Sequence, residues 1–308
     1  MRTHAKESRL TEQRNPASTN FDRMSALEMV RLMNREDQKV ARAVERVVPE
    51  IARAVDEIVK RLQSGGRLIY AGAGTSGRLA ILDASECPPT FGVSRGQVQA
   101  LIAGGRRAIV SAVEGAEDST ANAARDLRRK KLSKRDVVVG VAASATTPYV
   151  LGAVKYAKKV GAAAIGVAAN RVGPLKKLTD IFIGAEVGPE VLTGSTRLKA
   201  GTAQKMVLNM LSTGTMVRLG HAYENLLIDM ERTNRKLEER TIRILTEASG
   251  ASVSAAQQAL RAAGHDMRVG LVILKRGVEA GEARKLLRQS KGNLRAALGE
   301  AGRTSRKG

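Results

Sequence analysis

Between residues 67 and 185 the chain alternates short β-branched runs with stretches of helical periodicity, and that alternation constrains the fold more than any other feature. The runs are 67–71, 98–103, 136–141, 163–167 and 180–184, and they include Val137-Val138-Val139 and Ile181-Phe182-Ile183. Continuous apolar runs suit strands buried from both sides, and the segments between them are long enough to return as crossover helices. The expectation is an α/β fold, a parallel sheet with helices on both faces.

Helices are expected ahead of the sheet. Ser25-Ala26-Leu27-Glu28 has capping-box spacing, apolar residues recur at helical intervals from Glu36 to Gln63, Pro49 suits the start of a second helix, and Ser64-Gly65-Gly66 stops it. Residues 1–23 are polar and predicted to be loosely ordered. Residues 24–250 then form the sheet domain with its flanking helices. From 251 to 302 short Ala-, Leu- and Arg-rich segments, broken at Gly264, Gly281 and Gly292, predict a small helical domain, followed by a mobile tail at 303–308.

The first strand runs into Gly72-Ala73-Gly74-Thr75-Ser76-Gly77 at the head of a helix. Such a turn suits an anion: glycine lets a ligand approach the backbone, helix-start N–H groups face it, and Thr75 and Ser76 add hydroxyls. The same letters satisfy the dinucleotide pattern G-x-G-x-x-G. Against that reading, Cys87-Pro88-Pro89 is expected to cut the following helix short, and Val98–Ala103 lacks the acidic residue due about 20 positions on. Arg106-Arg107 keeps a phosphorylated dinucleotide as an alternative, and a purely structural turn is another. Ligands of parallel sheets gather at the carboxyl ends of strands, and a second hydroxyl-bearing loop, Ala142-Ala143-Ser144-Ala145-Thr146-Thr147-Pro148, follows the third run in that position.

Charge narrows the partners. The 308 residues carry 52 Lys+Arg against 30 Asp+Glu, a net charge of +22, which favours anionic ligands. The densest basic stretch, 125–135, falls at a predicted helix end, where cations complement the dipole. Aromatic residues make up 2% of the chain and Trp is absent, which argues against nucleic acid as the main partner, although the charge alone does not remove it. No apolar run reaches the roughly 20 residues that span a bilayer, and the N-terminus leads into polar residues, so a cytoplasmic protein is expected. The single Cys87 reads as a packed thiol. His4, His221 (in a helical run) and His265 lack metal-ligand spacing.

Two carboxylates stand out. Glu86 falls where the helix behind the glycine loop is expected to end, and there a dry site would favour a protonated carboxyl able to act as a general acid. Glu117 lies in the acidic cluster Val113-Glu114-Gly115-Ala116-Glu117-Asp118-Ser119. Spacing does not choose among Glu114, Glu117 and Asp118, one of which could cap the helix that follows. A cofactor-free, metal-free acid–base reaction on a phosphorylated small molecule follows.

Four motifs, Thr75-Ser76-Gly77-Arg78-Leu79, Asp83-Ala84-Ser85-Glu86-Cys87-Pro88-Pro89-Thr90-Phe91-Gly92, the 113–119 cluster, and the stretch from Gly194 to Lys205, together resemble the N-acetylmuramic acid 6-phosphate etherase family. The resemblance implies a sugar isomerase (SIS) domain followed by a small helical domain, working as a homodimer with sites at the subunit interface. It implies release of D-lactate from a phosphorylated amino sugar, with Glu86 as acid, Glu117 as C2 base, and phosphate held by Gly74, Thr75, Ser76, Ser144 and Thr147. Where the family usually reads Ser-Gly-Arg-Thr-Pro, this chain has Ser144-Ala145-Thr146-Thr147-Pro148, without the glycine or the arginine. A non-catalytic sugar-phosphate-binding regulator is the alternative, and the two glutamates favour the enzyme.

Overall fold

Helix α1 (Ala26–Glu45) starts at the predicted capping box: Ser25 N–H donates to Glu28 Oε2 at 2.8 Å, and Glu28 N–H donates to Ser25 Oγ at 3.4 Å. Helix α2 (Val48–Gln63) begins with Pro49 in its first turn, where a missing N–H costs nothing, and buries Ile51, Val55, Ile58, Val59 and Leu62 along one stripe. The structure, a computed structural model, describes residues 10–229, 235–290 and 292–300. His4 and the predicted 303–308 tail lie outside them.

The next elements are β1 (Leu68–Gly72), α3 (Gly74–Phe91), β2 (Val98–Ile102), α4 (Arg107–Val110), α5 (Thr120–Arg129), β3 (Val137–Val141), α6 (Pro148–Val160), β4 (Ala163–Ala168), α7 (Pro174–Leu178), β5 (Ile181–Gly184) and α8 (Lys199–Arg218). All five strands are parallel, in the order β2-β1-β3-β4-β5. Each predicted run is a strand. Alternate residues explain why both faces are covered. Ile69, Ala71, Val138 and Ala164 pack with Ala123 and Leu127 of α5 and with Tyr149, Val150, Ala153, Val154 and Ala157 of α6. The intervening Leu68, Tyr70, Val137, Val139 and Ile165 face the other way and are equally buried, and the Tyr70 hydroxyl donates to Asp83 of α3 at 2.9 Å. At about 1.5–3 kcal/mol for each large side chain taken from water, this double burial is the main force holding the sheet.

Arg67 and Asp136, just ahead of β1 and β3, lock these strands at their amino ends. Asp136 accepts from Arg67 N–H at 2.9 Å and pairs with its guanidinium at 2.8 Å. The same guanidinium donates to the carbonyls of Lys130 and Lys131, which close the basic end of α5.

The structure corrects three expectations. Cys87-Pro88-Pro89 does not cut α3 short: the helix runs through both prolines to Phe91, because proline's fixed φ is itself helical and only two N–H donors are lost. Gly92, at φ +63°, ends it. Residues 10–23 are not loose but form three short 3-10 turns. Asn15 is buried there, donating to Glu36 Oε2 at 3.0 Å and to the Pro189 carbonyl at 3.1 Å, bonds to distant partners that local composition does not reveal. His221 lies beyond the end of α8, not within a helix, with Nδ1 2.8 Å from Asp229 Oδ2.

The chain divides into two compact units, one with the chain up to Glu86 and Ser94–Thr215, the other with Cys87–Val93 and the chain from Met216. The second contains the short pair β6 (Ala222–Tyr223) and β7 (Leu226–Leu227), and helices α9 (Arg235–Ser249), α10 (Val253–Ala262), α11 (Met267–Arg276), α12 (Ala280–Gln289) and α13 (Leu294–Ala297). Its core joins Tyr223, Ile228, Ile244 and Leu245 to Leu260, Leu271, Val272 and Leu298. Ser252, Asp266 and Asn293 cap its helices with their side chains. Among the described residues no helix is long and apolar enough to cross a membrane.

Candidate active site

The strand order makes β1 and β3 neighbours, with Gly72 opposite Val141 in register, so the two hydroxyl-bearing loops leave the same edge of the sheet side by side. In a 2-1-3-4-5 sheet this is the point where the chain's direction of travel reverses and a crevice opens.

In the first loop the three glycines serve different ends. A Cβ on Gly72 would lie 2.8 Å from the Gly77 Cα, and one on Gly77 would lie 2.6 Å from Ile102 Cγ1, so these two allow the strand end and helix start to touch. Gly74, at φ +51°, faces open space. It is therefore the glycine at which the backbone stays open to approach. The first helical bond runs from Gly77 N–H to the Ala73 carbonyl at 3.1 Å, which leaves the N–H groups of Gly74, Thr75 and Ser76 ahead of the ladder. Ser76 is buried and its hydroxyl donates to Gln204 Oε1 of α8 at 2.9 Å, while Thr75 packs its methyl toward Gly201 of the same helix.

In the second loop Ser144 Oγ accepts two bonds, from Thr146 N–H at 3.2 Å and from the Thr146 hydroxyl at 2.9 Å. Thr147 occupies the N-cap of α6 without making a side-chain cap and is half-buried. Ala145 sits at φ +60°, a left-handed conformation that glycine adopts freely.

A cleft of about 210 Å³ adjoins the first loop, lined by Gly74, Arg78, Glu114 and Glu117 among others. Asp118 is not on its wall, and Ser119 caps α5 by accepting from Asn122 N–H at 3.2 Å, so none of the three acids serves as the cap. Arg78 was not among the residues expected to act. Its position one helical turn after Gly74 was the available signal, and its Nε donates to the Ile109 carbonyl at 2.9 Å. Gln204 was also missed, because 128 residues separate it from Ser76.

Glu86 is elsewhere. With α3 continuing to Phe91, it lies five residues short of the helix end, beyond the last turn where the dipole acts, and it is exposed. Twelve residues of α3 separate it from Gly74, about 18 Å along the axis at about 1.5 Å per residue. One chain does not bring Glu86 to the cleft that holds Glu117. Among the described residues no cluster of three metal-ligating side chains occurs.

A doubly wound parallel sheet with two hydroxyl-bearing loops at its reversal point and an acid-lined cleft beside them defines a sugar-phosphate-binding domain of the SIS class. The family model for the glucokinase regulatory protein N-terminal SIS domain matches residues 50–158. The N-acetylmuramic acid 6-phosphate etherase of Serratia proteamaculans is 53% identical over 289 residues, covering 94% of this chain and 97% of that protein; the one from Yersinia pestis is 52% identical, covering 94% and 98%. The chain belongs to the N-acetylmuramic acid 6-phosphate etherase family. A phosphoheptose isomerase from Francisella tularensis shares the fold, with a TM-score of 0.51 at 19% identity over 63% of this chain and all of that one.

Proposed function

We propose that this protein, as a cytoplasmic homodimer, cleaves the D-lactyl ether of N-acetylmuramic acid 6-phosphate to N-acetylglucosamine 6-phosphate and D-lactate. The observation that carries this reading is the near end-to-end match to the etherases, with Glu86 and Glu117 standing in the motifs that carry the resemblance. The phosphate sits between the loops, taking bonds from the backbone at Gly74 and from the hydroxyls of Thr75, Ser76, Ser144 and Thr147. Arg78, on the wall of the cleft, adds the positive charge that a substrate bearing both phosphate and carboxylate needs.

With the sugar ring open, the C2 proton lies alpha to the aldehyde. Glu117 takes that proton, the electron pair forms the C2–C3 double bond, and the C3–O bond breaks as Glu86 protonates the leaving lactate oxygen. Water then adds back, hydroxyl to C3 and proton to C2, so the net change is hydrolysis. Glu86 of one subunit completes the cleft of the other. Two features support this: the roughly 18 Å of helix α3 between Gly74, on the cleft wall, and Glu86 at about 1.5 Å per residue, and Leu82, which is 51% exposed one helical turn before Glu86 and presents an apolar contact beside it.

Purified protein should release D-lactate from the muramic acid phosphate. Glu86→Gln should lower the rate by about 10²–10⁴-fold, the usual contribution of a general acid, with folding unchanged by circular dichroism. Full activity in that variant would remove the acid assignment, and tight sugar-phosphate binding by the wild type with no turnover would point to a regulator instead.

A further inference from the structure

Gln204 is 2% exposed, and while its Oε1 accepts the Ser76 proton its Nε2 has no hydrogen-bond partner. A buried amide donor left without an acceptor is uncommon and calls for a partner. The bond it does make conflicts with phosphate binding. A phosphate dianion only accepts hydrogen bonds, and Ser76 has a single hydroxyl proton, which here is given to Gln204. The bond to Gln204 and a bond to phosphate therefore exclude one another.

We infer that Gln204 is a positioning residue for phosphate capture, which acts by turning its side-chain amide through half a turn when phosphate arrives. This rests on the reading that Ser76 holds the phosphate. The turn exchanges the two ends of the amide. Nε2 then lies where Oε1 was, about 2.9 Å from Ser76 Oγ, and donates to the serine lone pair. The unsatisfied donor gains a partner, and the Ser76 proton is released to point at the ligand. The carbonyl that takes the vacated place is the easier group to leave under-satisfied. Gln204 thus offers Ser76 an acceptor before phosphate arrives and a donor once phosphate is bound. Its helix is well placed for this: Gly201, one turn earlier, lies so close to the phosphate loop that a Cβ there would be 3.7 Å from Thr75 Cγ2.

The test uses the full chain and titrates N-acetylglucosamine 6-phosphate calorimetrically into the wild type, Gln204→Met, Gln204→Glu and Ser76→Ala, with melting temperatures recorded in parallel. Gln204→Met removes both ends of the amide at nearly constant volume and should weaken binding about tenfold, raising KM while leaving kcat near the wild-type value, because the phosphate is remote from the bond that breaks. Gln204→Glu can only accept the Ser76 proton and adds a negative charge, so it should weaken binding by about a hundredfold or more. Lowering the pH, which protonates the introduced carboxyl and restores a donor, should recover its binding relative to wild type measured at the same pH. A merely structural glutamine would shift the melting temperatures and leave these ratios alone. If Gln204→Met binds as well as wild type, or better, while Ser76→Ala binds poorly, the inference falls and the phosphate loop stands. If Ser76→Ala also binds normally, both fall together. Gln204→Met is decisive even if the charged variant does not fold.

Discussion

Ala145 sets the residue scale, because one missing glycine puts a side chain into backbone space that resists it. At φ +60° its Cβ crowds the following carbonyl, and it faces Gly173, where any added Cβ would lie 2.8 Å away. Strain of this kind costs about 1–2 kcal/mol, partly offset by the greater freedom that glycine has when unfolded. Ala145→Gly should therefore stabilise the protein by about 0.5–1 kcal/mol, seen as a raised urea midpoint with an unchanged slope. The hydroxyls around it show how far a sequence speaks at this scale. Ser76, Ser144 and Thr147 stood out because they cluster within a few residues of a strand end and a helix start. Gln204, Arg78 and the buried Asn15 did not, since their partners are chosen by packing between elements that no local pattern connects.

Among elements, α1 and α8 are joined by a charge buried deeply on both sides. Lys199 is 2% exposed, opens α8, and pairs with Glu36 of α1 at 2.6 Å; Lys39 and Asn15 add further donors to the same carboxylate. Burial by itself would raise the Glu36 pKa, but the hydrogen bonds from Lys199, Lys39 and Asn15 outweigh it and hold the carboxyl at about 2. With the folded value depressed below an unfolded 4.5, its contribution is complete above about pH 4.5 and is lost as the pH falls toward 2. Glu36→Gln leaves Lys199 buried without its counter-ion, so it should destabilise the protein by about 3–5 kcal/mol at neutral pH and flatten the acid limb of stability against pH. Denaturant melts at stepped pH check both. Nearby, Glu190 accepts the first two N–H groups of α8, from Lys199 and Ala200, which fixes the start of the helix that carries Gln204. The strands and the capping box of α1 were legible from alternation and capping residues. The passage of α3 through two prolines was not, because the rule against internal proline weighs the lost bonds and overlooks that the proline φ is helical.

For the whole molecule the decisive question is where the two glutamates meet. If each site takes Glu86 from one subunit and Glu117 from the other, mixing inactive Glu86→Gln and Glu117→Gln proteins and allowing subunits to exchange should restore activity. Random pairing makes half the dimers mixed, each with one intact site of two, so about a quarter of wild-type lactate release should return. No recovery after verified exchange would place both glutamates on one chain. The sequence disclosed the sheet and the two hydroxyl-bearing loops, but distance along a helix axis becomes visible only once α3 is known to be unbroken. The neighbouring placement of β1 and β3 carries a last implication. About seventy residues of chain separate the two hydroxyl-bearing loops proposed to hold phosphate, and they come together only when the third strand docks beside the first. A partly assembled chain thus has no complete cradle. Sugar phosphate added during renaturation acts as a proofreader of finished molecules: it deepens the native well by mass action and leaves every earlier step untouched.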